Sequence, residues 1–421
     1  MSVRVAVTVL LAVALGSAGA LALASRAPAS VRSDEPGPRA QDPSLGARFD
    51  DDQVARAAAY NGPAYLGFAL GAALNITVLA VLARGPWARL VERAETWPGG
   101  WVARTALLAA AIVVISTIVS LPLSYVRGFA MEHAWQLSTQ DLGGWLSDKV
   151  RSLIVGVVMA AVTAIAFFGL VRWQPRAWWL WGWAVFTGLT ALFVFLWPVV
   201  VAPLFNTFTP LRDASLKARV TALAHDAGVG INEVLVADAS RRSTAENAYV
   251  AGLGGTRRLV LYDTLLEAGG EDATLYVVGH ELGHQAENHV LKGVLLSSAG
   301  LLAGFGVLAW LGARTAPWSW AGADGVGDLR ALPLLLLFAT VAGLISLPVE
   351  NAVSRRFEAR ADEWAIELTH DPSTATRALR RLALTNLADL RPPSLAVALL
   401  YTHPSIPDRI RAVNAAANRA P

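Results

Sequence analysis

The chain has 421 residues, of which 54% are hydrophobic and only 16% charged, with a formal net charge of +3. That balance excludes a water-soluble domain of ordinary composition, and arginines scattered between apolar runs are not the concentrated basic face that a nucleic-acid partner needs. There is no cysteine, which excludes disulfides, thiolate metal sites and cysteine nucleophiles and leaves histidine and carboxylate as metal ligands.

Apolar runs of about 20 residues, enough to cross a bilayer core, occur near 3–24, 64–83, 106–123, 153–171, 178–202, 293–311 and 331–347. They predict a mainly α, multispan helical membrane protein with six or seven spans and the lipid bilayer as a partner. Residues 1–25 fit either a retained first span, the preferred reading, or a signal peptide cleaved near Ala24. Residues 26–63, rich in Pro, Ser, Gly and mixed charge, read as a solvated linker. Residues 64–204 form an N-terminal membrane domain, in which "RWQPRAWWLWGW" (172–183) reads as an interfacial aromatic belt.

The character changes at Phe205. "DASLKARVTALAHDAGVGINEVLVAD" predicts a helix, a glycine stop and a strand. "NAYVAGL" and "RRLVLYD", on either side of Gly254 and Gly255, predict a hairpin. No lysine and serine or threonine follow this glycine pair as a phosphate loop requires, so no nucleotide is expected. Helical patterns resume at Thr264 and run into the sixth span, then cover 351–369 and 372–388 after the seventh. An α+β domain over 205–421 is thus interrupted by the spans near 293–311 and 331–347.

Just before the sixth span stands "VVGHELGHQAENHV". Residues four apart share a helix face, so His280 and His284 can both direct a ring nitrogen at one point, with Glu281 beside that point. This is the arrangement of a zinc site with an adjacent base: catalytic zinc takes three protein ligands and leaves a position for water, whose pKa it lowers toward neutrality. The third ligand must come from elsewhere, and "NAVSRRFEARADEWAIELT" offers Glu358. One turn later, Asp362 shares its face and can hold the second nitrogen of a ligating histidine.

Together these motifs resemble the integral-membrane zinc metallopeptidases of the CAAX prenyl protease type, an HExxH gluzincin family. "APLFNTFTPL" (202–211), "ENAYVAGLGGTRRLVLYDTLLE" (246–267) and "THPSIPDRIRAV" (402–413) are similar to family segments and occur in the family's order. The resemblance implies a zincin-like metallopeptidase domain with one Zn2+ per chain on His280, His284 and Glu358, with Glu281 as base and Asp362 behind the ligands. It further implies that His403 stabilises the oxyanion and that Asn247 and Ala248 lie on an edge strand that holds an extended peptide. Asn288 and His289 also match the family, as supporting structure.

Eukaryotic members enclose a large chamber and act on prenylated C-termini. The arginine-rich, lysine-poor composition here looks prokaryotic, which points away from prenylated tails and toward membrane-associated peptides or damaged membrane proteins. The expected setting is the plasma membrane of a prokaryote. The resemblance implies a cytoplasmic catalytic domain, whereas the loop with Arg84, Arg89, Arg93 and Arg104, on the opposite side, is the denser basic one. Two other readings compete with a zinc endopeptidase. An intramembrane site-2 type protease would bury its motif in a span, for which 276–289 is too polar. A catalytically idle scaffold or transporter-like protein would be expected to have lost part of the ligand set.

Overall fold

The computed structural model describes residues 49–252 and 257–417. The run at 3–24, most of the expected linker and the Gly254–Gly255 turn lie outside the described residues. Six helices are long and apolar enough to cross a membrane: Asp51–Arg84, Trp101–Ala134, Leu142–Trp173, Trp178–Leu204, His289–Gly312 and Leu329–Thr369. They contain the six apolar runs read after residue 60.

The first of these corrects the expected linker. Helix α1 (Asp51–Arg84) begins inside the polar stretch, because Asp50 and Gln53 form a reciprocal cap over its first turn. Phe49, ahead of it, is buried among helices of the C-terminal half. The short α2 (Pro86–Glu95) follows directly, burying Trp87, Val91 and Ala94 on one face and leaving Arg89, Glu92 and Arg93 exposed. Helix α3 (Trp101–Tyr125) widens into π-helical turns over Val126–Met131, just past Pro122. Helix α4 (Leu142–Trp173) is capped by Asp141, and α5 (Trp178–Leu196) ends in further distorted turns that contain Pro198 and Pro203.

Between α1, the end of α3 and a later membrane helix lies an open cavity of about 770 Å³. Asn75, Ser120, Ser124, Arg127, Thr340 and Glu350 contribute polar groups to its wall. A second space of about 470 Å³ shares the wall at Asn75, Ser120 and Thr340.

The water-facing part holds helix α6 (Ala214–Asp226) and four strands: β1 (Phe208–Pro210), β2 (Glu233–Ala237), β3 (Ala248–Ala251) and β4 (Arg258–Tyr262). Their order is β1-β2-β4-β3, with β2 and β4 parallel and the outer pairs antiparallel. The expected hairpin is therefore present, with β3 at the edge of the sheet among the described residues. The sequence reading did not contain β1, which is three residues long and ends on a proline.

Helix α7 (Asp263–Ala286) kinks at Gly270, whose φ of 67° suits glycine. Helix α8 (His289–Gly312) follows. The expected continuous helix is interrupted between them by Asn288, at φ 53° in the left-handed region that asparagine tolerates better than most residues. Helix α9 (Leu332–Thr369) runs without a break from the membrane to the second motif, and α10 (Pro372–Thr385), α11 (Ser394–Leu400) and α12 (Ile406–Ala417) complete the chain. One apolar core joins the sheet to α6 and α7. Another joins α7 and α9 to α10 and α12.

Candidate active site

The site is built on the seam between α7 and α9. Gly279 and Gly283, one turn apart on α7, face Ala365 and Ala361 of α9. A β-carbon at Gly283 would lie 2.7 Å from that of Trp364 and 3.1 Å from the Ala361 α-carbon; at Gly279 it would lie 3.2 Å from the Ala365 α-carbon. Small residues at this spacing let the backbones approach closely, and the two motifs are carried beside the seam, His280 and His284 on one helix, Glu358 and Asp362 on the other.

There the first three side chains converge, each offering one ligand atom within 4.8 Å of the others. His280 Nε2 is 3.0 Å from Glu358 Oε2, and His284 Nε2 is 3.2 Å from His280 Nε2 and 3.4 Å from Glu358 Oε1. The donor set calls for positive charge. Burial opposes a charged His280, but Asp362 and Glu358 outweigh it and raise the ring's pKa to about 9. Two imidazole nitrogens and a carboxylate oxygen facing one point are the N/O ligands that divalent zinc accepts, three in number as a catalytic site requires.

Behind the ligands lies a second layer. Asp362 Oδ1 accepts from His280 Nδ1 at 2.9 Å and from the Tyr276 hydroxyl at 3.1 Å. Because the carboxylate only accepts, His280 carries a hydrogen on Nδ1, which leaves Nε2 as the nitrogen that gives up its proton when a metal takes its place. Arg409 of α12 donates to both oxygens of Asp362 and is itself buried. On the other ligand, His284 Nδ1 lies 2.9 Å from Nδ1 of the buried His289, whose ring stacks on Phe357 at 4.3 Å. For His284 to ligate through Nε2, its Nδ1 must donate and His289 must accept.

Glu281 sits half-buried between the two histidines in sequence, and burial pushes its carboxyl above the ordinary carboxylate range. His403, a loop histidine by sequence, reaches the same cluster: its Nε2 is 3.1 Å from Glu358 Oε2, and its other nitrogen meets the Thr402 hydroxyl at 2.9 Å. Arg355, one turn before Glu358 on α9, ties this loop down through the carbonyls of Val397 and Tyr401, at 2.9 and 2.8 Å. Asn247 and Ala248 lead into the edge strand β3, which packs against α7. Arg409, Tyr276 and Arg355 were not singled out from the sequence. A trace of Arg409 was there: it flanks the Ile406, Ile410 and Val413 stripe of α12, and a buried arginine needs a carboxylate.

Residues 210–417 match the family model described as peptidase family M48, and residues 38–207 match one described as CAAX prenyl protease N-terminal, five membrane helices. A metalloprotease of Bacillus subtilis named YhfN is 36% identical over 302 residues, which is 70% of this chain and 70% of that one. This chain belongs to peptidase family M48. The M48 chain is also 29% identical to CAAX prenyl protease 1 of Saccharomyces cerevisiae over 318 residues, 71% of this chain and 70% of the other. Its fold is that of the crystal structure of Ste24p from S. mikatae, with a TM-score of 0.76 over 96% of this chain and 99% of that one, at 23% identity. The M48 chain is an integral-membrane metalloendopeptidase.

Proposed function

We propose that this M48 enzyme uses one zinc ion, held by His280, His284 and Glu358, to hydrolyse peptide bonds of membrane-associated substrates. The observation that carries the reading is the convergence of those three ligands, each histidine having its outer nitrogen engaged by a separate partner. Zinc, when bound, supplies Lewis acidity that acidifies water and polarises a carbonyl. Glu281 takes the proton from the attacking water and passes it to the leaving amine; its raised pKa suits both steps. His403 donates to the oxygen that becomes negative at the tetrahedral stage. Asp362 and Arg409 fix His280, and His289 fixes His284. An extended peptide adds to the open edge of β3 through backbone hydrogen bonds around Asn247 and Ala248.

The C-terminal domain begins near residue 205, and the membrane domain before it starts with α1 at Asp51, ahead of the expected boundary at 64. Composition and the Bacillus relative support a prokaryotic plasma membrane, and the resemblance supports a cytoplasmic catalytic face. The cavity wall combines Asn75, Ser120, Thr340 and Glu350 with a larger apolar share that includes Phe68, Leu123, Leu344 and Leu347, so the choice of substrates without a prenyl tail rests on the composition of the chain. An idle scaffold has no use for a complete ligand set with its outer partners.

The test is cleavage of a mixed peptide library by the detergent-purified protein, read by mass spectrometry before chelation, after chelation and after zinc is restored. Cleavage that disappears and returns with zinc is expected. Cleavage indifferent to chelation would overturn the metal assignment, and products only from prenylated peptides would overturn the substrate class.

A further inference from the structure

We infer that Glu246, acting with Arg381 and Asn386 at the end of α10, is a positioning residue that sets the register of the substrate-binding edge of β3. The inference rests on the reading of β3 as the strand that receives the peptide. It starts from the pairing of β3 with β4. Tyr262 N–H donates to the Asn247 carbonyl at 3.0 Å, so in this antiparallel ladder Asn247, Tyr249 and Ala251 turn their backbone groups toward β4. Ala248 and Val250 turn theirs away, toward the open edge.

Just upstream, the chain's backbone N–H groups are already taken. Thr244 N–H donates to the Leu137 carbonyl at 3.1 Å, and Glu246 N–H donates to Asn386 Oδ1 at 3.3 Å. The Ala248 N–H in turn donates to the Asn247 side chain Oδ1 at 2.9 Å, so the edge open to a peptide begins at the Ala248 carbonyl and continues at Val250.

The Glu246 side chain is fully shielded from solvent and forms an ion pair with Arg381, with Nε at 3.0 Å and Nη2 at 2.7 Å from Oε2, while Thr385 donates to Oε1 at 3.2 Å. Arg381 also donates to the Ala268 carbonyl, and its guanidinium occupies the space a β-carbon on Gly269 would need. A buried ion pair is a poor source of net stability compared with apolar packing, but displacing one partner is costly. That combination suits a register pin. β3 pairs over only four residues, and a slip of one would turn every side chain to the wrong face. The pin ties the edge to α10, whose apolar face packs in the same core as Tyr276 and Ala365.

The test uses full-length, zinc-loaded protein in detergent and two inhibitors: acetohydroxamate, which reaches only the metal, and a peptidyl hydroxamate long enough to lie along β3. In Glu246→Ala, zinc content and acetohydroxamate affinity should stay at wild-type levels, while the peptidyl compound weakens by about tenfold or more, the loss of a charged hydrogen-bond anchor. Glu246→Gln, which keeps one oxygen to accept from Arg381 and offers its NH2 to the Thr385 hydroxyl oxygen, should recover part of that loss. Asn386→Ala should weaken the peptidyl compound selectively, and it keeps the test decisive if Glu246→Ala does not fold. Equal loss for both inhibitors, or none for either, overturns the inference. A wild-type protein that binds neither would instead overturn the peptidase reading.

Discussion

Arg409 grips Asp362 with two prongs, Nη2 to Oδ1 at 2.6 Å and Nε to Oδ2 at 2.8 Å, with both residues buried. The carboxylate that orients His280 is thus itself oriented by the last helix of the chain. Breaking such a pair leaves an unpaired buried charge, which costs roughly 3–5 kcal/mol. Arg409→Ala is expected to lower the melting temperature and to weaken zinc binding measured by chelator competition. Arg409→Lys, which keeps the charge but not the fork, should fall between the two. A wild-type zinc affinity in Arg409→Ala would remove this role.

Glu281→Gln keeps the size of the side chain and removes the base. Peptide cleavage should drop by about 10²–10⁴-fold, with one zinc per chain still found by elemental analysis. Cleavage at the wild-type rate would sink the assignment of Glu281.

His289→Ala removes the partner of His284 without touching a ligand. Loss of an outer partner of this kind typically costs about 10–100-fold in metal affinity or activity. Zinc affinity by chelator competition is the readout, and an unchanged value would mean that His289 only packs on Phe357.

Gly283→Val places methyl groups where Trp364 and Ala361 already stand. Overpacking of this kind costs typically about 1–3 kcal/mol, and it also parts the helices that carry the ligands. Stability and zinc content should fall together, with Gly283→Ala less affected. Full zinc content with a normal melting temperature in Gly283→Val would contradict the seam.

Orientation can be read directly, because the chain has no cysteine. Ser394 is exposed near the catalytic end, and Ser319 is exposed in the short helix Ala316–Trp320 that follows α8, at the opposite end. With the catalytic domain in the cytoplasm, an impermeant maleimide added to whole cells should label Ser319→Cys and spare Ser394→Cys. The reverse pattern would place the catalytic face outside.

Periodicity and local chemistry made much of this legible. The apolar runs marked the described spans, and the spacing of His280 and His284 marked a shared helical face. Glu358 and Asp362 were readable as a second pair one turn apart, but only the fold brings α9 against α7. Contacts made at long range by residues of ordinary appearance were not readable: Arg409 looks like a solvated helix charge, and Arg355 like one of a basic run. The linker reading failed at Asp51 because the acidic residues that suggest solvation are also those that cap and start a helix.

Helix α9 enters the bilayer region near Leu332 and still carries Glu358 and Asp362 before it ends at Thr369, interrupted in its hydrogen bonding only at Pro348. One continuous helix therefore carries a membrane-length apolar arm on one side of Pro348 and Glu358 of the candidate metal site on the other. The anchor in the apolar layer and one arm of the candidate site are thus one element of secondary structure, not two domains joined by a linker.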